Sequence, residues 1–124
     1  MSKSFNLADY YLFDRIAEGS GQRIALRYGT RSWTYECVSK RASATGQLLL
    51  ARGLAPSQRV YIILPDCPPF AWCYFGALKA GGVVAMGNPI SATESLLDVI
   101  DYIDPHTIIS TKSVMDRLQA AQPS

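Results

Sequence analysis

The sequence predicts an α/β fold in which an N-terminal helix and a β-hairpin precede a β-α-β-α-β unit with a parallel sheet. Three short apolar segments, near residues 60–64, 83–86 and 107–111, have the near-continuous hydrophobicity of strands buried on both faces. Helical patterns alternate with them, and short connections of this kind favour crossovers between parallel strands. With 48% hydrophobic and 18% charged residues, the composition is that of one globular domain and excludes disorder as the main state.

The first third of the chain is predicted to form a helix and a hairpin. Asn6 is the candidate N-cap of the helix, and residues 19–21 end it. Its apolar face consists of Ala8, Tyr11, Leu12 and Ile16. Residues 24–28 and 32–35 are predicted strands, joined by a tight turn in which Gly29 supplies the positive φ that such turns require.

A long helix is then predicted from residue 35 to residue 52. Thr34 is its candidate N-cap, and Gly53 follows where a left-handed C-terminal residue belongs. Its buried stripe has helical spacing and consists of Val38, Ala42, Thr45 and Leu49.

Two more helices are predicted within the β-α-β-α-β unit, and a third follows it. Residues 69–80 begin with a proline, which a first helical turn tolerates, and end at Gly81 and Gly82. Residues 91–94, Ser-Ala-Thr-Glu, predict a capping box for the next helix. The apolar face of that helix is Leu96, Leu97, Val99, Ile100 and Ile103. A last helix is predicted at residues 113–121.

Specific nucleotide and phosphate motifs are missing from the loops where a parallel sheet binds its ligands. Those loops follow the carboxyl ends of the strands, at residues 65–69, 87–92 and 111–113. No G-x-G-x-x-G motif follows a strand, and Gly76 and Gly81 have Walker spacing without the Lys and Ser/Thr that must follow. Asp66 has no acidic neighbour to form a metal-dependent phospho-receiver site. The residues therefore predict none of these three sites.

The reactive residue types have structural interpretations. The three cysteines lack a C-x-x-C spacing and favour buried thiols over a metal site or a nucleophile: Cys37, Cys67 and Cys73. His106, the single histidine, follows a turn and is predicted to be a solvated surface residue rather than a catalytic base.

Aromatic and charged residues also favour structure over chemistry. Packing is favoured over a ligand platform for Trp33, Trp72, Tyr74 and Phe75. A solvated helix face is favoured over an acid–base pair for Asp9, Asp14 and Glu18. Lys40 and Arg41 are predicted surface charges, and a scattered net charge of +2 demands neither a nucleic acid nor an anionic membrane.

The sequence contains no candidate membrane span. Its longest apolar run, residues 70–78, is about half of the ~20 residues that a spanning helix needs. The N-terminus lacks the apolar region and cleavage site of a secretory signal. We therefore expect a cytoplasmic protein.

Several segments of the sequence contain motif-like patterns in a fixed order. Residues 33–36, Trp-Thr-Tyr-Glu, open a helix after a hairpin and resemble L-T-Y-x-E-L, the first core motif of the acyl-adenylate-forming enzymes. Residues 77–89, ALKAGGVVAMGNP, are similar to the second core motif. Residues 59–66 are similar to the family's R-V-x-I-x-x-x-N segment, with Asp66 in place of asparagine. The opening, residues 5–19, is especially like benzoate-CoA ligases and related aryl-CoA ligases.

The resemblance implies the N-terminal part of the large domain of such an enzyme, at residues 1–124. The phosphate loop, the ribose-binding aspartate and the catalytic lysine of the family have no counterpart in this sequence. No catalytic, cofactor-binding or metal residue is therefore assigned to the chain. Some CoA ligases carry a basic residue directly after Asn-Pro; that position is Ile90, so no CoA contact is assigned.

The implied parent is an ATP-dependent acid–thiol ligase that uses Mg²⁺ and CoA. It would form an acyl-AMP from an aromatic or other carboxylic acid, then a thioester with CoA or a carrier-protein phosphopantetheine. We expect the 124 residues alone to be inactive and to bind none of these cofactors. They are also expected to expose a sheet edge, covered by self-association or by further sequence. The alternative is a naturally short, non-catalytic α/β binding or assembly module.

Overall fold

The computed structural model describes residues 6, 8 and 13–121 and confirms the predicted order of elements. After a helical turn at Ile16–Ser20, the chain forms β1 (Ile24–Tyr28), β2 (Arg31–Thr34), α1 (Tyr35–Ala51), β3 (Arg59–Ile63), α2 (Pro68–Lys79), β4 (Val83–Gly87), α3 (Thr93–Ile103), β5 (Thr107–Ser110) and α4 (Lys112–Ala121). The predicted strands and the four later helices begin and end within one residue of these bounds.

Only part of the predicted first helix can be compared. Tyr11 and Leu12 lie outside the described residues. Asn6 Oδ1 accepts a hydrogen bond from the backbone N–H of Ala8 at 2.8 Å, as an N-cap side chain does. Gly19, where the helix was predicted to end, has a φ of +93° and interrupts the helical turn at Ile16–Ser20.

Two separate sheets organise the strands. β1 and β2 form an antiparallel hairpin in which Leu26 pairs with Trp33, and Gly29 turns the chain with a φ of +62°. The other three strands form a parallel sheet in the order β4-β3-β5. In the described part of the chain the outer edges of β4 and β5 have no strand partner, and on β4 Val83 and Met86 are exposed. The predicted exposed edge is therefore present; self-association stays a prediction.

The central strand, β3, supplies a core on each of its faces because successive side chains of a strand point to opposite sides. On one face, Val60 and Ile62 pack against Leu49 of α1, Cys73 and Ala77 of α2, and Leu54 in the connection after α1. On the other face, Tyr61 and Ile63 pack against α3 and α4 through Leu96, Val114 and Leu118. A third cluster lies under the hairpin and contains Trp33, Val38 and Ala42.

Helices α1 and α2 cross at two buried glycines, Gly46 and Gly76. A Cβ atom on Gly76 would lie 2.6 Å from the carbonyl oxygen of Ala42 and 2.9 Å from the Cβ atom of Thr45. A Cβ atom on Gly46 would lie 3.0 Å from the carbonyl oxygen of Gly76. The two backbones are therefore closer than helices with side chains at these positions can approach.

The helix ends confirm most of the predicted caps and correct one. Thr34 Oγ1 accepts from the backbone N–H of Cys37 at 3.1 Å, and Gly53 has a φ of +92°. The capping box at residues 91–94 was wrong, because α3 begins one residue later with Ala92 at its N-cap and no side-chain cap bond. The Ser91 carbonyl and the Thr93 hydroxyl instead accept hydrogen bonds from a distant arginine.

Candidate functional site

The loops after β3 and β4 form a groove of about 430 Å³ at the carboxyl ends of these two parallel strands. Parallel α/β sheets place their ligands at this edge. The groove is lined by Leu64, Pro65, Asp66, Phe70, Met86, Gly87, Asn88, Pro89 and Ile90. Its walls are mostly apolar, and it is the strongest candidate site in the described part of the chain.

On the β3 side, the groove is bounded by the start of α2. Pro68 and Pro69 are the first two residues of this helix, so neither has a backbone N–H to offer. The next N–H, that of Phe70, already donates to the carbonyl of Cys67 at 3.0 Å. This helix start therefore lacks the free N–H groups with which helix N-termini bind phosphate.

On the β4 side, the groove is bounded by a tight turn over residues 88–91. The backbone N–H of Ser91 donates to the carbonyl of Asn88 at 3.0 Å, and Asn88 Oδ1 accepts from the N–H of Ile90 at 3.0 Å. Pro89 holds the second turn position, where its fixed φ is favourable. The side chain of Ile90 is left at the tip, 89% exposed.

Arg117 on α4 forms hydrogen bonds with this turn and with the first residue of α3. Its guanidinium donates to the carbonyls of Pro89 and Ser91 and to the hydroxyl of Thr93. Sequence reasoning missed this residue. An arginine on a polar helix, more than twenty positions from its partners, carries no local signal that distinguishes it from a surface charge.

Gly87, at the end of β4, makes room for a buried tyrosine. A Cβ atom there would lie 2.5 Å from Tyr61 Oη and 2.9 Å from the ring atoms Cε1 and Cζ. Tyr61 is only 2% exposed, and burial raises the pKa of its phenol. A glycine is thus required at this point of the groove for steric reasons.

A second, smaller cavity of about 280 Å³ lies between the hairpin and the start of α2. It is lined by Leu26, Arg27, Tyr28, Asp66, Cys67, Pro68, Phe70 and Ala71. Asp66 and Phe70 line both spaces, so the two cavities are neighbours.

The reactive residues that the sequence singled out lie in different environments in the structure. Cys73 is buried as predicted, and burial, followed by the charge of Cys67, raises the pKa of its thiol. The prediction of a buried thiol was wrong for Cys37, which lies on the solvent side of α1, and Cys67 is only partly buried. His106 lies before β5, at the opposite end of the sheet from the groove, and is half-buried, its Nδ1 2.7 Å from Thr107 Oγ1. No catalytic pair is formed by these residues.

The aromatic residues pack as predicted. Trp33 and Trp72 meet edge to face with ring centroids 6.2 Å apart. The guanidinium of Arg31 lies 4.9 Å from the Trp33 ring, and that of Arg41 lies 4.9 Å from the Trp72 ring. Arg41 is exposed as predicted, but it also covers this aromatic pair.

The other predicted surface charges that the structure describes are exposed. Lys40 is exposed and lies 3.5 Å from Glu36. Asp14 and Glu18 are exposed, and Glu18 pairs with Arg15 at 3.2 Å. Asp9 lies outside the described residues.

The groove does not fit ATP and Mg²⁺ on its own. Its lining contains one carboxylate, Asp66, and no lysine, arginine or histidine to contact phosphates. Among residues 6, 8 and 13–121, no three His, Cys, Asp or Glu side chains lie close enough to hold a metal ion together.

None of the helices within residues 13–121 has both the length and the apolar composition of a membrane-spanning helix.

Comparison with known proteins assigns the family. The sequence profile described as "AMP-binding enzyme" matches residues 13–124. The chain belongs to the AMP-binding enzyme family. The resemblance to acyl-adenylate-forming enzymes is thereby confirmed.

Relatives of this AMP-binding chain include aryl-CoA ligases. It is 31% identical over 98 residues to 3-hydroxybenzoate–CoA/4-hydroxybenzoate–CoA ligase of Thauera aromatica, which covers 79% of the chain and 19% of that enzyme. It is 27% identical over 127 residues to malpinin synthetase of Mortierella alpina, covering 96% of the chain and 2% of that protein. The chain thus spans a fifth or less of the length of these relatives.

A solved structure confirms the predicted fold class. The benzoate CoA ligase from Burkholderia xenovorans LB400 superimposes with a TM-score of 0.84 at 22% identity, over 94% of the chain and 23% of that enzyme. The AMP-binding chain therefore has the fold of about a quarter of such an enzyme.

Proposed function

We propose that the chain is the N-terminal part of the large domain of an ATP-dependent ligase that joins a carboxylic acid to a thiol. The observation that carries this proposal is the family match over residues 13–124. The relatedness to hydroxybenzoate–CoA ligase supports an aromatic acid as the substrate. CoA and a carrier-protein phosphopantetheine are the two thiol acceptors that the proposal includes.

The proposed reaction has two steps. The carboxylate attacks the α-phosphorus of ATP, which forms acyl-AMP and releases pyrophosphate. The thiol then attacks the acyl carbon, and AMP leaves. Mg²⁺ would accompany ATP in the parent enzyme. The proposed location is the cytoplasm, where ATP and CoA are available, with no nucleic acid or membrane partner.

Within such an enzyme, this chain would contribute structure rather than chemistry. Charge that develops on a transferring phosphoryl group must be met by positioned donors or cations. The groove instead presents Asp66, apolar walls and a helix start with two prolines. We therefore propose that residues 1–124 alone neither bind ATP tightly nor catalyse either step.

Pyrophosphate exchange into ATP tests the first step, with benzoate, hydroxybenzoates, aminobenzoates and fatty acids as the acids. The 124-residue chain is compared with the longer polypeptide encoded by its gene, and thioesters with CoA or a carrier protein are detected by mass spectrometry. We expect exchange only with the longer polypeptide. A gene that encodes no further segment, together with no exchange, would favour the short binding or assembly module.

A further inference from the structure

Arg117 holds the turn after β4 through three nitrogen atoms of one guanidinium. Nε donates to Thr93 Oγ1 at 3.0 Å, Nη1 to the Pro89 carbonyl at 2.7 Å, and Nη2 to the Ser91 carbonyl at 2.5 Å. A planar guanidinium presents its donors in fixed directions, which the single ammonium of lysine cannot reproduce. One half-buried side chain therefore joins two points of the loop to the first residue of α3.

The turn depends on this external support. Its own two hydrogen bonds, both made by Asn88, close residues 88–91 but do not join them to the rest of the fold. The carbonyls of Pro89 and Ser91 are on half-buried residues, and both would lose their donor if Arg117 were removed. Partly buried acceptors without a donor destabilise the conformation that buries them.

The same turn forms one wall of the groove. Pro89 and Ile90 line it from the β4 side, and Pro65 and Phe70 line it from the β3 side. Asp66 is the charged residue in this lining, which disfavours a phosphate or a carboxylate. Apolar walls with few polar groups suit an uncharged organic group.

We propose that Arg117 is a positioning residue that shapes this wall for an uncharged organic group of a substrate. The proposal rests on the proposed ligase function. Three groups of this chemistry occur in the substrates of such an enzyme: the carbon skeleton of the carboxylic acid, the uncharged arm of the thiol acceptor and the adenine of ATP. We assign the groove to the acid or the thiol, because the triphosphate attached to adenine would find no cation in this lining.

Hydrogen exchange of backbone amides tests the positioning role and requires no measurement of enzyme activity. In the 124-residue chain, Arg117→Gln should speed exchange at Ile90 and Ser91 at least about tenfold, the effect of losing one hydrogen bond to a charged group. Arg117→Lys should give an intermediate rate. The matched control is Lys112→Gln, which removes a cation from the same helix, where it contacts Asp116 at the surface, and should change neither rate.

Two further measurements keep this test decisive. Exchange at Ile62 on β3 reports global opening, and it should stay unchanged if the effect of Arg117→Gln is local. If Arg117→Gln fails to fold, Thr93→Val removes a single acceptor and should speed exchange at Ser91 by a smaller factor. Unchanged rates at Ile90 and Ser91 in a folded Arg117 variant would overturn the positioning role.

Kinetics of the longer polypeptide test the role of the wall. Arg117→Gln should raise the KM of the acid or of the thiol about tenfold, with kcat and the KM of ATP within about twofold of wild type. The substrate whose KM rises identifies the group that occupies the groove, and Lys112→Gln should change none of these values. A KM of ATP that rises equally, or no change in any KM, would overturn this role. A longer polypeptide inactive with every acid would refute the proposed ligase, while amide exchange would still decide the role of Arg117.

Discussion

The crossing of α1 and α2 gives the sharpest stability prediction, for the substitution Gly76→Ala. The new Cβ atom would lie 2.6 Å from the carbonyl oxygen of Ala42, whereas ordinary contact begins at 3.4 Å. The two helices would have to separate by about 0.8 Å across a close-packed interface. Because the obstacle is backbone and cannot rotate away, we take the upper end of the usual overpacking cost, about 3 kcal/mol.

Helix propensity acts in the opposite direction. Alanine is favoured over glycine inside a helix by about 1 kcal/mol, so the expected net loss in free energy of unfolding is about 2 kcal/mol. With a typical urea m-value for a chain of this size, the unfolding midpoint should fall by about 1 M. The measurement is urea unfolding followed by the fluorescence of Trp33 and Trp72, which lie beside this interface.

Gly21→Ala is the matched control. Gly21 has a φ of −56°, and its new Cβ atom would meet its nearest neighbours at 3.6 and 3.9 Å, which is ordinary contact. Its free energy of unfolding should therefore stay within about 0.5 kcal/mol of wild type. A Gly76→Ala protein at least as stable as wild type would refute the close-approach argument, because propensity alone would then account for the result.

Four other predictions concern local contacts. Gly87→Ala should cost about 1–3 kcal/mol because its Cβ atom meets buried Tyr61, and Tyr61→Phe in the same chain should recover part of the loss by removing Oη; no loss in the single variant would refute the contact. Thr34→Ala should lower stability by about 1 kcal/mol while Thr34→Ser stays near wild type, as judged by urea midpoints; equal midpoints would contradict the cap. At pH 8 iodoacetamide should label exposed Cys37 before buried Cys73, as peptide mass spectrometry would show, whereas equal rates would contradict the assigned burial. Because burial raises the pKa of the Cys73 thiol, its contribution to stability should be complete below pH 9.0 and decline as the pH rises further; a urea midpoint that does not fall above this pH would contradict it.

The strands and most helix ends could be predicted from the sequence because their signals are local. An apolar run such as Val60 to Ile63 is continuous only because β3 is covered on both faces. Gly29 and Gly53 mark backbone positions with positive φ, and Thr34 caps through its own side chain. Each of these features depends on residues within a few positions of one another.

The missed features depend on contacts between distant segments. The spacing of residues 91–94 fits a capping box, but Arg117 binds Ser91 and Thr93 and the helix begins one residue later. Gly76 matters through a helix that precedes it by thirty residues or more in sequence. The groove combines two loops, so no single motif in the sequence marks it.

Pyrophosphate exchange by three matched polypeptides tests the central claim most directly, which is that this chain is an indispensable but non-catalytic part of an acid–thiol ligase. The three are the 124-residue chain, the longer polypeptide to which we propose it belongs, and that polypeptide without residues 1–124. The account predicts exchange with at least one aromatic or aliphatic acid in the longer polypeptide and none in the other two. Exchange by the 124-residue chain, or by the polypeptide that lacks it, would contradict the account.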